Sequence, residues 1–188
     1  MYTRFHRLFA ALPACLLVGG VVVPAMPASA QRRVDAIAPP PAGGPPLLRP
    51  VTPACVSSPF GPRILPRRPL AGRFHNGIDL PAPAGASVRA VARGTVIRAE
   101  RRGPGGLQLL VQHDGFIGVY GHLGSIAPAI ANGRRAISGG EKLGVVGHSG
   151  LTYGMHLFFA MIRRGHAVDP APYLGVVPCG STVAARGR

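Results

Sequence analysis

Six histidines in the body of the chain are the residues best placed to do chemistry: His75, His113, His122, His148, His156 and His166. An imidazole changes charge near neutral pH, passes protons and ligates metals. A lone histidine in a β domain is more often a surface or satisfied core residue. Three local contexts raise the odds here. The first is Phe74-His75-Asn76-Gly77-Ile78-Asp79-Leu80. If this stretch is extended, His75, Gly77 and Asp79 share one face, because side chains alternate along a strand. Gly77 removes the side chain between the two polar groups and leaves a gap where an ion could sit. Imidazole plus carboxylate suits zinc. The second context is Val119-Tyr120-Gly121-His122-Leu123, at a strand end, and the third is Gly154-Met155-His156-Leu157-Phe158-Phe159. His113 ends a strand before a turn and reads as structural, and His166 follows the last hairpin turn and reads as exposed.

These side chains must be positioned by short strands. Gly and Pro together make about a quarter of the 188 residues, which argues for many turns and against long helices. Ser87–Ala92 and Thr95–Glu100 are β-type runs split by Arg93-Gly94. Leu107–His113 and Phe116–His122 flank Asp114-Gly115, a hairpin signal. Leu143–Gly147 and Met155–Ile162 are two further strands, joined by a Gly/Ser/Thr-rich loop that holds His148. Helix is expected only around Ile126–Ala131 and for one turn after Asp169-Pro170. The fold class is therefore all-β and antiparallel.

Apolar residues are 47% and charged residues 14%, which excludes a disordered chain and a coiled coil. No Gly-x-y period exists, so collagen is excluded. The net charge of +15 favours acidic partners: nucleic acid, an anionic membrane face or an acidic cell-wall polymer. The N-terminus selects among them. Arg4 and Arg7 precede an apolar run, Leu8 to Met26, which ends at Ala28-Ser29-Ala30. That pattern reads as a secretory signal peptide over 1–30, cut after Ala30. An uncleaved anchor is the alternative, since the run is about long enough to span a bilayer. Export argues against nucleic acid and places the mature chain in a periplasmic or extracellular space, with no stable membrane insertion after cleavage. Cys15 leaves with the signal. Cys55 and Cys179 remain, an even pair in an oxidising compartment, and read as one disulfide; two free thiols are the alternative. Residues 31–50 form a Pro/Gly-rich linker, 51–180 the folded domain and 181–188 a flexible tail.

In order, the three histidine contexts resemble the lysostaphin-type (LytM) zinc metallopeptidases, which cut peptide cross-links in bacterial peptidoglycan. The resemblance covers roughly Val56 to Leu174. Ser58-Pro59-Phe60-Gly61-Pro62-Arg63 is similar to the family's opening turn, Phe74 to Leu80 to its HxGxD ligand motif, and Tyr120-Gly121-His122-Leu123 to its catalytic histidine motif. Gly144 to Ile162 and Val168-Asp169-Pro170 are similar to its final strand and closing segment. The resemblance implies a LytM-type domain, lysostaphin-like with a duplicated hybrid motif and a central groove. It implies zinc as cofactor, His75 and Asp79 as zinc ligands, and His122 and His156 as the pair that handles the attacking water and the oxyanion.

The family pattern then breaks. Its last motif is HxH, usually followed by Phe and Glu, and the second His is the third zinc ligand. This chain reads His156-Leu157-Phe158-Phe159-Ala160. Phe158 stands at the ligand position, and Ala160 replaces the Glu. Residues 156 and 158 share a strand face, so an apolar ring is expected beside His75 and Asp79. His148, in the neighbouring loop, is a weak substitute ligand. The expected function is a non-catalytic domain that binds peptidoglycan or activates a cell-wall amidase. The alternative is an active zinc endopeptidase with a weak or rescued metal site. A third reading is a basic protein for anionic wall or outer-membrane components.

Overall fold

The Asp114-Gly115 dipeptide reverses the chain between its two best-paired strands. Gly115 has φ 76°, a conformation that costs glycine little and other residues much. The computed structural model describes residues 46–66 and 68–181. The expectations for the signal peptide, for most of the linker and for nearly all of the tail lie outside the described residues.

Among the described residues, twelve strands, one 3-10 turn (Pro69–Ala71) and two short α-helices occur; strands and α-helices follow in the order β1 (Gly61–Pro62), β2 (Phe74–His75), β3 (Ile78–Pro81), β4 (Ser87–Arg89), β5 (Gly94–Arg101), β6 (Leu107–His113), β7 (Phe116–Gly121), β8 (Leu123–Ile126), α1 (Pro128–Ala131), β9 (Ala136–Ile137), β10 (Lys142–Val146), β11 (His156–Arg163), β12 (His166–Val168) and α2 (Ala171–Leu174). A seven-stranded antiparallel sheet holds β12-β11-β7-β6-β5-β9, with β3 pairing β11 beyond this path. A second sheet of three strands, β4-β10-β8, packs with it, and β1 pairs only β2. Alternation divides each strand of the large sheet between two faces. Leu157, Phe159 and Met161 of β11, Ile78 and Leu80 of β3, Leu109 and Val111 of β6, and Tyr120 of β7 enter the core. His156 and Phe158, Asp79, Gln108 and Leu110, and Val119 lie on the other face, which lines a groove. Burying each large apolar side chain of the first set contributes about 1.5–3 kcal/mol.

Several boundaries depart from the sequence reading. The strand expected over Ser87–Ala92 stops at Arg89, because the next residues turn to pair with the N-terminal segment: Leu48 N–H donates to Val91 O. For the same reason the last part of the expected linker, 31–50, is packed. Leu47 lies against the core and Pro50 is buried. The strand expected over Phe116–His122 ends at Gly121, since His122 has φ 60° and leaves the β conformation. α1 starts at Pro128, where a missing N–H costs nothing in the first turn.

The two cysteines meet. Cys55 and Cys179 form a disulfide, with Cα atoms 4.9 Å apart. Val56 N–H donates to Val177 O and Cys179 N–H to Val56 O, so the bridge caps a two-stranded splice between the ends of the domain.

His113 is structural, in a buried chain of donors. Val91 N–H donates to the Tyr120 hydroxyl (3.1 Å), that hydroxyl donates to His113 Nε2 (3.2 Å), and His113 Nδ1–H donates to Arg93 O (2.9 Å). Burial pushes the His113 imidazole below its ordinary value, partly offset by the hydrogen bonds it donates to the backbone of Arg93 and Ala92. The folded ring therefore refuses a proton that the unfolded chain accepts. Its contribution to stability is complete above about pH 6.5 and is lost as pH falls from there through the folded value. Denaturant melts from pH 8 to pH 5 should show this loss, and His113→Gln should flatten the difference. Identical pH slopes in both proteins would remove His113 as its source.

Candidate metal centre and groove

The site is built where β3, β7 and β11 run side by side. β11 fixes the register: Phe158 lies opposite Asp79 of β3 and opposite Gly121 of β7, and His156 lies opposite Pro81. β2 ends at His75, buried at 5% exposure. His122 follows β7, and its left-handed backbone turns the ring back toward the groove. Its N–H donates to Gly105 O and its carbonyl accepts from Gly147, which fixes this turn from both sides.

Each imidazole is oriented through Nδ1. His75 Nδ1–H donates to Pro59 O (3.0 Å), with Ser58 Oγ at 3.4 Å; Arg63 holds that serine through Nη1 (3.1 Å). His122 Nδ1–H donates to Ser149 O (2.8 Å), and His156 Nδ1–H to Gly154 O (3.0 Å). Nε2 of His75 and Nε2 of His156 both lie 3.3 Å from the same oxygen, Asp79 Oδ1. His122 and His156 meet edge to face, ring centroids 4.8 Å apart. Burial pushes the Asp79 carboxyl up. Hydrogen bonds from His156 and His75, reinforced by their charge, outweigh burial and hold it well below the usual carboxylate range. Burial pushes His122 down, against the pull of the Ser149 carbonyl, so the ring is neutral at pH 7.

The space beside Gly77 holds the Phe158 ring. A Cβ on Gly77 would lie 2.7 Å from Phe158 Cε2, and one on Gly121 would lie 3.0 Å from Phe158 Cδ1. The ring centroid is 5.5 Å from that of His75 and 6.0 Å from that of His122. Two missing side chains thus give the phenyl ring its seat. Zinc in a catalytic centre takes three protein ligands and one open position. Phe158 offers no lone pair, so of the family's three ligand positions only His75 and Asp79 carry a donor here. Among the described residues no group of three His, Cys, Asp or Glu side chains is arranged to hold a metal ion. The residues present do not fit the family's zinc.

Of the residues singled out by sequence, the structure brings together His75, Asp79, His122, His156 and Phe158. His148 is exposed in its loop and does not line the groove, and His166 is exposed on β12. The second imidazole on Asp79 is that of His156. Sequence reasoning missed Arg68 and Tyr153. They come from the two loops that wall the groove, and the guanidinium stacks on the ring at 4.8 Å from its centroid. No local motif announces that contact. The groove encloses about 860 Å³.

Comparison with known proteins decides the family. Residues 73–170 match Peptidase family M23. The chain belongs to this family. It is 36% identical over 124 residues to the DD-carboxypeptidase/endopeptidase Mpg of Neisseria meningitidis, across 65% of this chain and 28% of that protein. It is 35% identical over 100 residues to the murein hydrolase activator EnvC of Escherichia coli, across 53% of this chain and 23% of that one. The matched M23 chain thus spans about a quarter of the length of these curated relatives. Among solved structures, the catalytic domain of lysostaphin from Staphylococcus simulans superposes with a TM-score of 0.57 at 25% identity, covering 65% of this chain and 92% of that domain. A zinc-containing peptidase from Vibrio cholerae gives 0.57 at 28% identity, over 66% of this chain and 39% of that one. The all-β, antiparallel, lysostaphin-like fold expected from the sequence is the fold observed.

Proposed function

We propose that this M23 chain is an exported, non-catalytic domain that binds peptidoglycan in its groove. The observation that carries the reading is Phe158, whose ring sits over Gly77 and Gly121 between His75 and His122. The groove stays open beside that ring, walled by Arg63, Arg68 and Arg102 and by Tyr153 and Met155. A cleft of this size with apolar and cationic walls suits a short peptide with carboxylates. Relatives named as a DD-carboxypeptidase/endopeptidase and as a murein hydrolase activator point to the same polymer. The second of these supports a cell-wall amidase as protein partner. The apolar run before Ala28-Ser29-Ala30 supports a periplasmic location. No helix among the described residues is long and apolar enough to cross a membrane.

A second reading, a zinc endopeptidase with a weak metal site, draws on one observation. His75 and His156 remain gathered on one oxygen of Asp79, with the His122 ring against His156. Co-sedimentation with purified sacculi at two ionic strengths tests the binding. The protein should pellet at low salt, pellet less as salt screens the arginines, and release no soluble stem-peptide fragments. Failure to pellet at low salt would count against both readings.

A further inference from the structure

A second charged surface lies away from the groove, around the turn between β9 and β10. Arg89, Arg93, Arg134, Arg135 and Lys142 are all exposed, and none of them lines the groove. Strand pairing, backbone contacts and two side-chain hydrogen bonds bring them to one turn. Arg89 Nη1 donates to Gly140 O (3.0 Å) in that turn. Arg134 pairs with Glu141, whose other oxygen accepts from Ser138 N–H (3.0 Å). A Cβ on Gly139 would lie 3.5 Å from Arg93 N, and Arg135 O accepts from Val96 on the adjoining strand. Arg89 and Lys142 are direct cross-strand partners in the β4–β10 ladder. Like charges opposite one another destabilise an antiparallel pair. Glu141, the acidic residue of the turn, is already engaged by Arg134. Against this patch rests an exposed leucine: Leu48 is 49% exposed, and its Cδ1 would lie 3.4 Å from a Cβ on Gly140.

We propose that this patch docks the domain on an anionic lipid bilayer surface, with the cations over phosphate headgroups and Leu48 reaching toward the acyl boundary. Charge complementarity calls for an anion rich enough to relieve the Arg89–Lys142 repulsion. Leu48 selects among anions, because a soluble polyanion leaves an apolar side chain unused while a bilayer takes both. The groove lies on the face of the large sheet, on β3, β7 and β11, so the patch and the groove can be occupied together.

The test is partition of the exported chain onto vesicles of phosphatidylglycerol and phosphatidylcholine, compared with phosphatidylcholine alone. The wild type should prefer the anionic vesicles, and the preference should fall with salt. Each cation near such a surface is worth about fivefold in partition. A variant carrying Arg93→Gln, Arg134→Gln, Arg135→Gln and Lys142→Gln should therefore lose at least about a hundredfold. A control carrying Arg73→Gln, Arg98→Gln, Arg101→Gln and Arg164→Gln removes the same charge elsewhere and should stay close to wild type. Leu48→Ser should lower the partition several-fold with every cation in place. Equal loss in the two four-residue variants would reduce the effect to net charge and overturn the patch. No preference of the wild type for anionic vesicles would overturn it as well. Unchanged binding of Leu48→Ser would remove the bilayer as its partner. So would capture by sacculi through these four residues without capture by vesicles.

Discussion

Phe158→His should convert a chain with little metal into one that holds close to one zinc. The substitution restores a ligating side chain on the strand face that already carries His156, opposite Asp79. It also clears the phenyl ring from the space over Gly77 and Gly121. His75 is already oriented through its Nδ1–H bond to Pro59 O, so the repaired set inherits a held first ligand. Losing a group that merely orients a ligand costs 10–100-fold in affinity, and losing a ligand costs more, so the gain should exceed about a hundredfold. Zinc content after gel filtration is the readout, because Ala160 still stands where the family has Glu and limits turnover. Adding Asp79→Asn to Phe158→His should abolish the gain. Zinc retained in that double variant would place it elsewhere on the protein.

The second large effect concerns stability. Replacing both cysteines, Cys55→Ser with Cys179→Ser, should destabilise the domain by about 2–5 kcal/mol. The closed loop spans 124 residue positions, for which the chain-entropy model gives about 5 kcal/mol. Unfolding should then move down by about 10 °C or more. The backbone splice Val56 N–H to Val177 O and Cys179 N–H to Val56 O is what remains to hold the ends. Melting curves of the two proteins, with and without reductant, check this. Superimposable curves would show that the splice and the core suffice.

Much of this architecture is legible in the residues because its signals are local. Asp114-Gly115 fixes the β6–β7 hairpin, whose strands start and stop as read except at His122. Parity along β11 places His156 and Phe158 on one face, and HxGxD places His75 and Asp79. The paired cysteines are likewise legible, given an exported chain. What stayed hidden depends on register between distant strands. That His156 reaches Asp79 follows from the pairing of Phe158 with Asp79 across β3 and β11, which no local pattern records. The same holds for the three-stranded sheet, in which β10 bridges β4 and β8 across long sequence separations. The sequence alone reads His122 as the last residue of a strand, because nothing in Tyr120-Gly121-His122-Leu123 signals a left-handed backbone. That conformation is imposed by Gly105 and Gly147. The Arg89–Lys142 pairing is invisible for a similar reason: 52 positions of chain return before the two cations face each other.

The central claim is that Phe158 has replaced a ligand and ended zinc chemistry in this groove. The most direct measurement is the metal content of the wild-type protein, purified without chelator and passed through gel filtration, together with its action on sacculi. The account predicts well below one zinc per chain and no soluble stem-peptide fragments, while the protein still pellets with the sacculi. One tightly held zinc per chain, accompanied by released fragments, would contradict it and return the chain to the working peptidases.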